Sequence, residues 1–147
     1  MEISRGHVKK LAQIISELSK EKDRDLGYGL SKNKTRMSEE LSAIGEYEKS
    51  LEPYENERID ICERYSEKDS NGNVIMEENN YKIDTSKSIF FKEDMIKLQQ
   101  KYKDTLIGAD SFLMGTVEIN FYKMPISVFP KRLSSDDIDV LMPLIED

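Results

Sequence analysis

Cysteine and histidine are almost missing from this sequence: Cys62 and His7 are the only ones. A single thiol excludes an intrachain disulfide and favours a reducing compartment. One imidazole without a cysteine cluster does not make a zinc site within one chain, so His7 reads as a surface residue near the N-terminus. Cys62 is a nucleophile only if a base approaches it, with His7 the sole histidine candidate, and a cysteine on a helix face is the favoured reading. Long apolar runs are missing too. Nothing approaches the roughly 18 residues of a membrane span, and Met1-Glu2-Ile3-Ser4-Arg5-Gly6 leads into no stretch of signal-peptide length. The expected location is the cytoplasm, with no membrane association. No Walker loop, dinucleotide fingerprint or Gly-x-Ser-x-Gly elbow is present. Asp69-Ser70-Asn71-Gly72-Asn73 is superficially like a calcium loop, but that loop needs its glycine at position six and Gly72 stands at four. The expectation is no enzyme, no metal and no cofactor.

Charge is abundant and unevenly placed. The net charge is -7, yet up to Arg36 there are nine Lys/Arg against five Asp/Glu, and thereafter thirteen against twenty-four. An acidic chain repels phosphate backbones, so general nucleic-acid binding is disfavoured, while the basic N-terminal third leaves a local exception open. Hydrophobic residues make up 37% and charged residues 35%, a balance that suits an elongated helical protein.

The apolar pattern divides the chain into elements. Val8, Leu11, Ile14, Ile15 and Leu18 predict an amphipathic helix over about 4–19 with Ser4 as N-cap. The charged stretch 20–25 breaks it. Leu30, Met37, Ile44, Leu51 and Tyr65 then keep a seven-residue spacing interrupted only by Arg58, beside a shorter row of Tyr47, Tyr54 and Ile61 with Leu41 out of register. Two such rows make a narrow seam for an antiparallel or self-associating coiled-coil contact. Pro53 implies one helix bent there or two helices meeting there. Residues 69–73 read as a turn, and Val74-Ile75-Met76 with Tyr81-Lys82-Ile83 as a small hairpin. A third helix is expected over about 86–107, with Phe91, Met95, Leu98, Tyr102 and Leu106 on one side and Gly108 at its C-terminus. Val117, Ile119 and Phe121 alternate as a half-buried strand. Pro125 and Pro130 bracket an extended segment, and Ser134 or Ser135 caps a short C-terminal helix carrying Ile138, Leu141 and Met142. The expected fold is mainly α with a minor β element (α+β): a long antiparallel helical hairpin, a short strand or hairpin, and a short C-terminal helix. It is read as one domain over 1–147, with 1–25 as a helix that docks separately.

Two groups of residues are candidates for binding. Glu39, Glu40, Glu46, Glu48, Glu52, Glu55 and Glu57 crowd the long helix, and no spacing singles out a catalytic pair. Glu46, Glu48, Glu52 and Glu55 with Tyr47 and Tyr54 form the candidate protein-binding face, the tyrosines being either interhelical core or anchors shared with a partner. Tyr28, Lys32, Lys34 and Arg36 form the candidate phosphate-binding stretch, an aromatic ring to stack a base and cations to hold phosphate.

A family resemblance rests on four segments. Glu63-Arg64-Tyr65-Ser66-Glu67-Lys68-Asp69-Ser70-Asn71-Gly72 ends a charged helix, a short extended stretch precedes the helix around Phe90 to Leu98, Pro125-Ile126-Ser127 follows a strand, and the tail Leu133-Ser134-Ser135-Asp136-Asp137-Ile138-Asp139-Val140-Leu141-Met142-Pro143-Leu144-Ile145-Glu146-Asp147 closes the chain. Over roughly its last two-thirds the sequence resembles a group of small proteins of tailed phages and prophages of low-GC Gram-positive bacteria. That group has no settled activity, so the resemblance implies an origin and transfers no functional residue. With the seam and the missing chemistry, it leads to an expected accessory protein that binds, and blocks, a host macromolecule such as an antiviral-defence component. The alternative is a structural or assembly protein of the tail or virion, self-associating through the seam. A third option is sequestration of a small anionic nucleotide.

Overall fold

The computed structural model describes all residues from Met1 to Asp147. In order, the elements are β1 (Glu2–Ser4), α1 (Arg5–Leu18), α2 (Arg24–Ser50), α3 (Glu52–Tyr65), β2 (Met76–Glu77), β3 (Asn80–Tyr81), α4 (Ser88–Lys101), α5 (Lys103–Met114), β4 (Thr116–Glu118) and α6 (Ser135–Leu141). The protein is mainly α, with two small antiparallel strand pairs, β1 with β4 and β2 with β3. No helix is long and apolar enough to cross a membrane. The chain forms two compact units, the first Met1–Tyr47 with Asp110–Asp147, the second Glu48–Ala109.

The first unit is built on α1. Ser4 accepts a hydrogen bond from the His7 amide (3.1 Å), which starts the helix, and Val8, Leu11, Ile15 and Leu18 are buried along one side. Across the charged turn, the Asp23 carboxylate accepts from the Leu26 amide (2.8 Å) and starts α2. Leu26, Leu30, Met37 and Ile44 join the same core with Ile119, Phe121, Met124, Leu141 and Leu144. Half of the predicted seam is thus covered inside this unit instead of standing free for self-association. Ile3 pairs with Val117 in the β1–β4 ladder, so the residues before α1 are a strand that its helical periodicity does not reveal. Asn33 is buried within α2, where its side chain donates to the Tyr122 carbonyl (2.8 Å) and accepts from the Tyr122 amide (2.7 Å). Gly29 lets Met124 lie against the helix backbone; a Cβ there would fall 2.0 Å from the Met124 sulfur.

The C-terminal helix follows its sequence signals. Ser134 and Asp137 exchange side-chain-to-backbone hydrogen bonds as a capping box, and Leu141 is buried. The segment between Pro125 and Pro130 corrects the expectation of extended chain. Residues Ile126–Val128 form a 3-10 turn, with the Val128 and Phe129 amides donating to the Pro125 and Ile126 carbonyls. Proline's fixed φ is compatible with such a turn as well as with an extended strand.

The second unit is the helical hairpin. α2 ends at Ser50 and α3 begins at Glu52, so two helices meet at Leu51, and Pro53 stands in the first turn of α3 where its missing N–H costs no helical bond. α3 and α4 run antiparallel: Tyr54 meets Tyr102, Lys101 reaches Glu57, and Tyr65 meets Phe91 and Asp94. Ile61, Cys62 and Leu98 are buried in this unit. The connection is the expected hairpin. Glu78 and Asn79, at φ 49° and 65°, make its two-residue turn, and both positive φ values match the twist of paired strands. In the preceding turn the Asp69 carboxylate accepts from the Asn71 and Asn73 amides while Gly72 takes φ 82°. The third predicted helix is corrected. It breaks at Tyr102, whose backbone leaves the helical region, and α5 continues to Met114 with Gly108 inside it. A glycine within a helix costs only about 1 kcal/mol, small enough for the helix to run through Gly108. Gly115, not Gly108, follows the helix end.

Candidate functional site

α4 carries apolar residues on two sides. At 100° per residue, Phe91, Met95 and Leu98 share one side, which is packed within the second unit. Ile89 and Ile96 lie on the outer side and are 69% and 54% exposed, while Phe90, 59% exposed, stands about a quarter-turn round from them. A helix apolar on two sides is ordinarily buried on both. Ile89, Glu93, Ile96 and Gln100 advance by four, three and four residues, the row that knobs-into-holes contacts use. Glu93 and Gln100 are polar members of this row, and Lys92 borders the isoleucines on one flank; all three are exposed.

The groove along the inner side of the hairpin is about 350 Å³ and is lined by charges that compensate one another. Lys101 donates to Glu57 (2.6 Å), and Tyr65 donates to Asp94 (2.6 Å), with Arg64 3.5 Å from the same carboxylate. Hydrogen bonds from Lys101 and Tyr102 hold the Glu57 carboxyl below its usual range, and the Asp94 carboxylate raises the Tyr65 phenol. These groups tie α3 to α4.

The acidic candidates divide between the two units. Glu46 and Tyr47 close the first; Glu48, Glu52, Glu55 and Tyr54 belong to the second. All four glutamates are exposed. Arg58 holds Glu55 through two hydrogen bonds (3.0 and 2.5 Å), which lower its carboxyl. Both tyrosines are packed within the chain: Tyr47 stacks on Phe112 at 4.4 Å and 7°, and Tyr54 meets Tyr102 edge-on at 5.6 Å. Among the exposed apolar residues, Ile89 and Ile96 of α4 share one side of a helix and stand apart from these packed tyrosines.

Of the basic candidates, the structure brings together Tyr28, Lys32 and Arg36, one turn apart along α2. They border a depression of about 320 Å³ with Ser31 and Thr35. Lys34 stands elsewhere, beside Ala12, Ile15 and Met37. Tyr122, which the sequence reading passed over, completes the group: the Lys32 ammonium is 4.9 Å from the centroids of both the Tyr28 and Tyr122 rings.

His7 corrects the reading of a free surface histidine. It is half-buried, and its Nε2 donates to the Val140 carbonyl (2.8 Å), fastening α1 to α6. A cavity of about 680 Å³ opens beside it, with Lys10, Asp110, Asp139 and the exposed Met114 on its walls. Cys62 is buried, with Arg58 Nη1 3.8 Å from its sulfur. No family model, curated protein or solved structure matches this chain.

Proposed function

We propose that this chain is a non-enzymatic binding protein whose second unit presents the outer side of α4 to an amphipathic helix of another protein. The observation that carries this is the exposure of Ile89 and Ile96 on a helix whose opposite side is already packed. Fully burying such a side chain is worth about 1.5–3 kcal/mol. With roughly three-fifths of each still open, the two isoleucines together supply about 2–4 kcal/mol. That is less than many estimates of the association cost, so further contacts at the lysine and glutamate rim are needed to reach micromolar affinity. The resemblance supplies the setting: a phage or prophage accessory protein acting in the host cytoplasm on a host protein, such as an antiviral-defence component.

A second reading, an assembly protein of the tail or virion, is favoured by the coiled-coil row Ile89, Glu93, Ile96 and Gln100. One experiment addresses both. Tagged wild type and the double variant Ile89→Glu/Ile96→Glu are used to capture proteins from phage-infected host lysate at low and high salt, with identification by mass spectrometry. A host protein retained by the wild type and lost by the still-helical variant supports the proposal. Recovery of tail proteins, or of the chain alone, moves the reading to assembly. Identical recoveries with both proteins refute the role of α4.

A further inference from the structure

We infer that the Tyr28–Arg36 face of α2 binds a mononucleotide, with the base against the open side of the Tyr28 ring and the phosphate between Lys32 and Arg36. The argument begins with how the two cations are held. The Lys32 ammonium sits 4.9 Å from each of two tyrosine rings, and these rings stand 5.7 Å apart at 89°. Arg36 Nη1 donates to the Asn120 carbonyl at 2.8 Å. Both cations are thus positioned by neutral acceptors, π faces and a carbonyl. Neither charge is cancelled by a carboxylate, in a chain whose net charge is -7. Arg5, Arg58 and Arg132 are by contrast neutralised, by Glu40, Glu55 and Glu21, whereas Lys68 is likewise held by carbonyls and a hydroxyl but has no aromatic ring beside it.

Pre-positioning matters to affinity. Ordering a long side chain on binding costs about 0.5–1.5 kcal/mol, and here much of that ordering precedes the ligand. The partner ring is itself fixed, because buried Asn33 holds the Tyr122 backbone through two hydrogen bonds. Lys32 and Arg36 are one helical turn apart, so both reach one phosphate group. The Ser31 hydroxyl lies on the same wall as a further donor, whereas the Thr35 hydroxyl is engaged with the Ser31 carbonyl (3.1 Å). Tyr28 is 54% exposed, which leaves ring surface for a base to stack on.

Size and charge select the ligand. The depression, about 320 Å³, is at the small end of the range for small-molecule sites. Two cations match one phosphate. A polynucleotide would also meet the repulsion of a chain whose net charge is -7.

The test is calorimetric titration of the full chain with 5′-mononucleotides and their cyclic forms, and separately with inorganic phosphate, adenosine and a single-stranded 12-mer. The expected result is saturable binding of at least one nucleotide, at least tenfold tighter than phosphate or adenosine alone. Lys32→Gln and Arg36→Gln each weaken it at least tenfold, Tyr28→Leu weakens nucleotide but not phosphate, and Lys34→Gln leaves it unchanged. Unaltered thermal melting shows that the variants fold. Absence of binding by every nucleotide at millimolar concentration overturns the inference, as does binding undiminished in the Lys32→Gln/Arg36→Gln double variant. Tighter binding of the 12-mer overturns it in favour of a strand-binding surface.

Discussion

Asn33→Leu tests whether one buried amide holds α2 to the segment after β4. The side chain is fully buried and makes two hydrogen bonds to the Tyr122 backbone, at 2.8 and 2.7 Å. Leucine is similar in size, so shape is nearly kept while both bonds are lost. The Tyr122 amide and carbonyl then face an apolar group. A buried polar group left unsatisfied costs about 1–3 kcal/mol, and Tyr122 is half-buried, so water satisfies part of the deficit. The expected loss is about 2–3 kcal/mol, after allowing for the added apolar burial of leucine. In urea, a slope of about 1–3 kcal/mol per molar places the midpoint about 0.7–3 M lower. Asn33→Asp separates donor from acceptor: it keeps the oxygen facing the Tyr122 amide but sets a carboxylate against the Tyr122 carbonyl. Burial and that carbonyl raise the folded pKa of the new carboxyl above its unfolded value of about 3.9. A raised folded pKa gives stability that is present below the unfolded pKa and lost as pH rises through the folded one. Relative to wild type, Asn33→Asp therefore recovers stability as pH falls through the raised folded pKa towards about 3.9, while Asn33→Leu keeps a constant deficit. Circular dichroism during urea titration at several pH values measures both. A leucine variant within about 0.5 kcal/mol of wild type, or an aspartate variant that tracks wild type with pH, refutes the reasoning.

Gly29→Ala sets helix propensity against packing: alanine gains about 1 kcal/mol in the helix. Its Cβ meets the Met124 sulfur at 2.0 Å, and overpacking a core costs about 1–3 kcal/mol, so a small net loss is expected. Adding Met124→Ala should make the pair destabilise by less than the sum of the single changes, and strict additivity in denaturation midpoints counts against the contact. In the second unit, Leu98→Ala removes a buried contact of α4 and is expected to cost about 2–4 kcal/mol by thermal or urea unfolding. Acid should loosen the same hairpin. Lys101 and Tyr102 hold the Glu57 carboxyl low, and the Ser86 hydroxyl and amide do the same for Asp84. Depressed carboxyls give stability that is present above their unfolded pKa and lost as pH falls through the folded value. The difference in melting temperature between wild type and Glu57→Gln should therefore shrink below about pH 4.

Elements whose cause is local were readable. α1 was given by its apolar row and by Ser4, α6 by Ser134 and Asp137, and the hairpin turn by residues that accept positive φ. Elements whose cause is distant were not. β1 is a strand because Val117 pairs with Ile3 more than a hundred residues away, and no periodicity in three residues announces that. Gly108 looked like a helix end because a glycine there is locally unfavourable, yet the cost is small and α5 runs through it. The heptad row from Leu30 to Tyr65 is apolar but for Arg58, and its members divide between Tyr47 and Glu48 into two compact units. A row at constant spacing states which side of a helix is buried and says nothing about against what.

The same limit explains what was missed on the surface. Reading α4 by its best row, Phe91 to Leu106, assigned one apolar side and left Ile89, Phe90 and Ile96 unconsidered, although they lie outside that row and were visible in the sequence. Apolar residues left over once the core stripe is drawn are themselves a signal, because a solvated side has no need of two isoleucines. The basic stretch carries a similar lesson. Lys32, Lys34 and Arg36 look equivalent along the chain, but Lys32 and Arg36 are four residues apart and share a side, whereas Lys34, two residues from each, is turned away. Helical geometry alone separates them. Tyr122 is different in kind: its place beside Lys32 depends on Asn33 gripping a backbone eighty-nine residues further on. A polar residue buried in the middle of an amphipathic helix is the one local hint that such a distant partner exists, since it is tolerated there only when its hydrogen bonds are met.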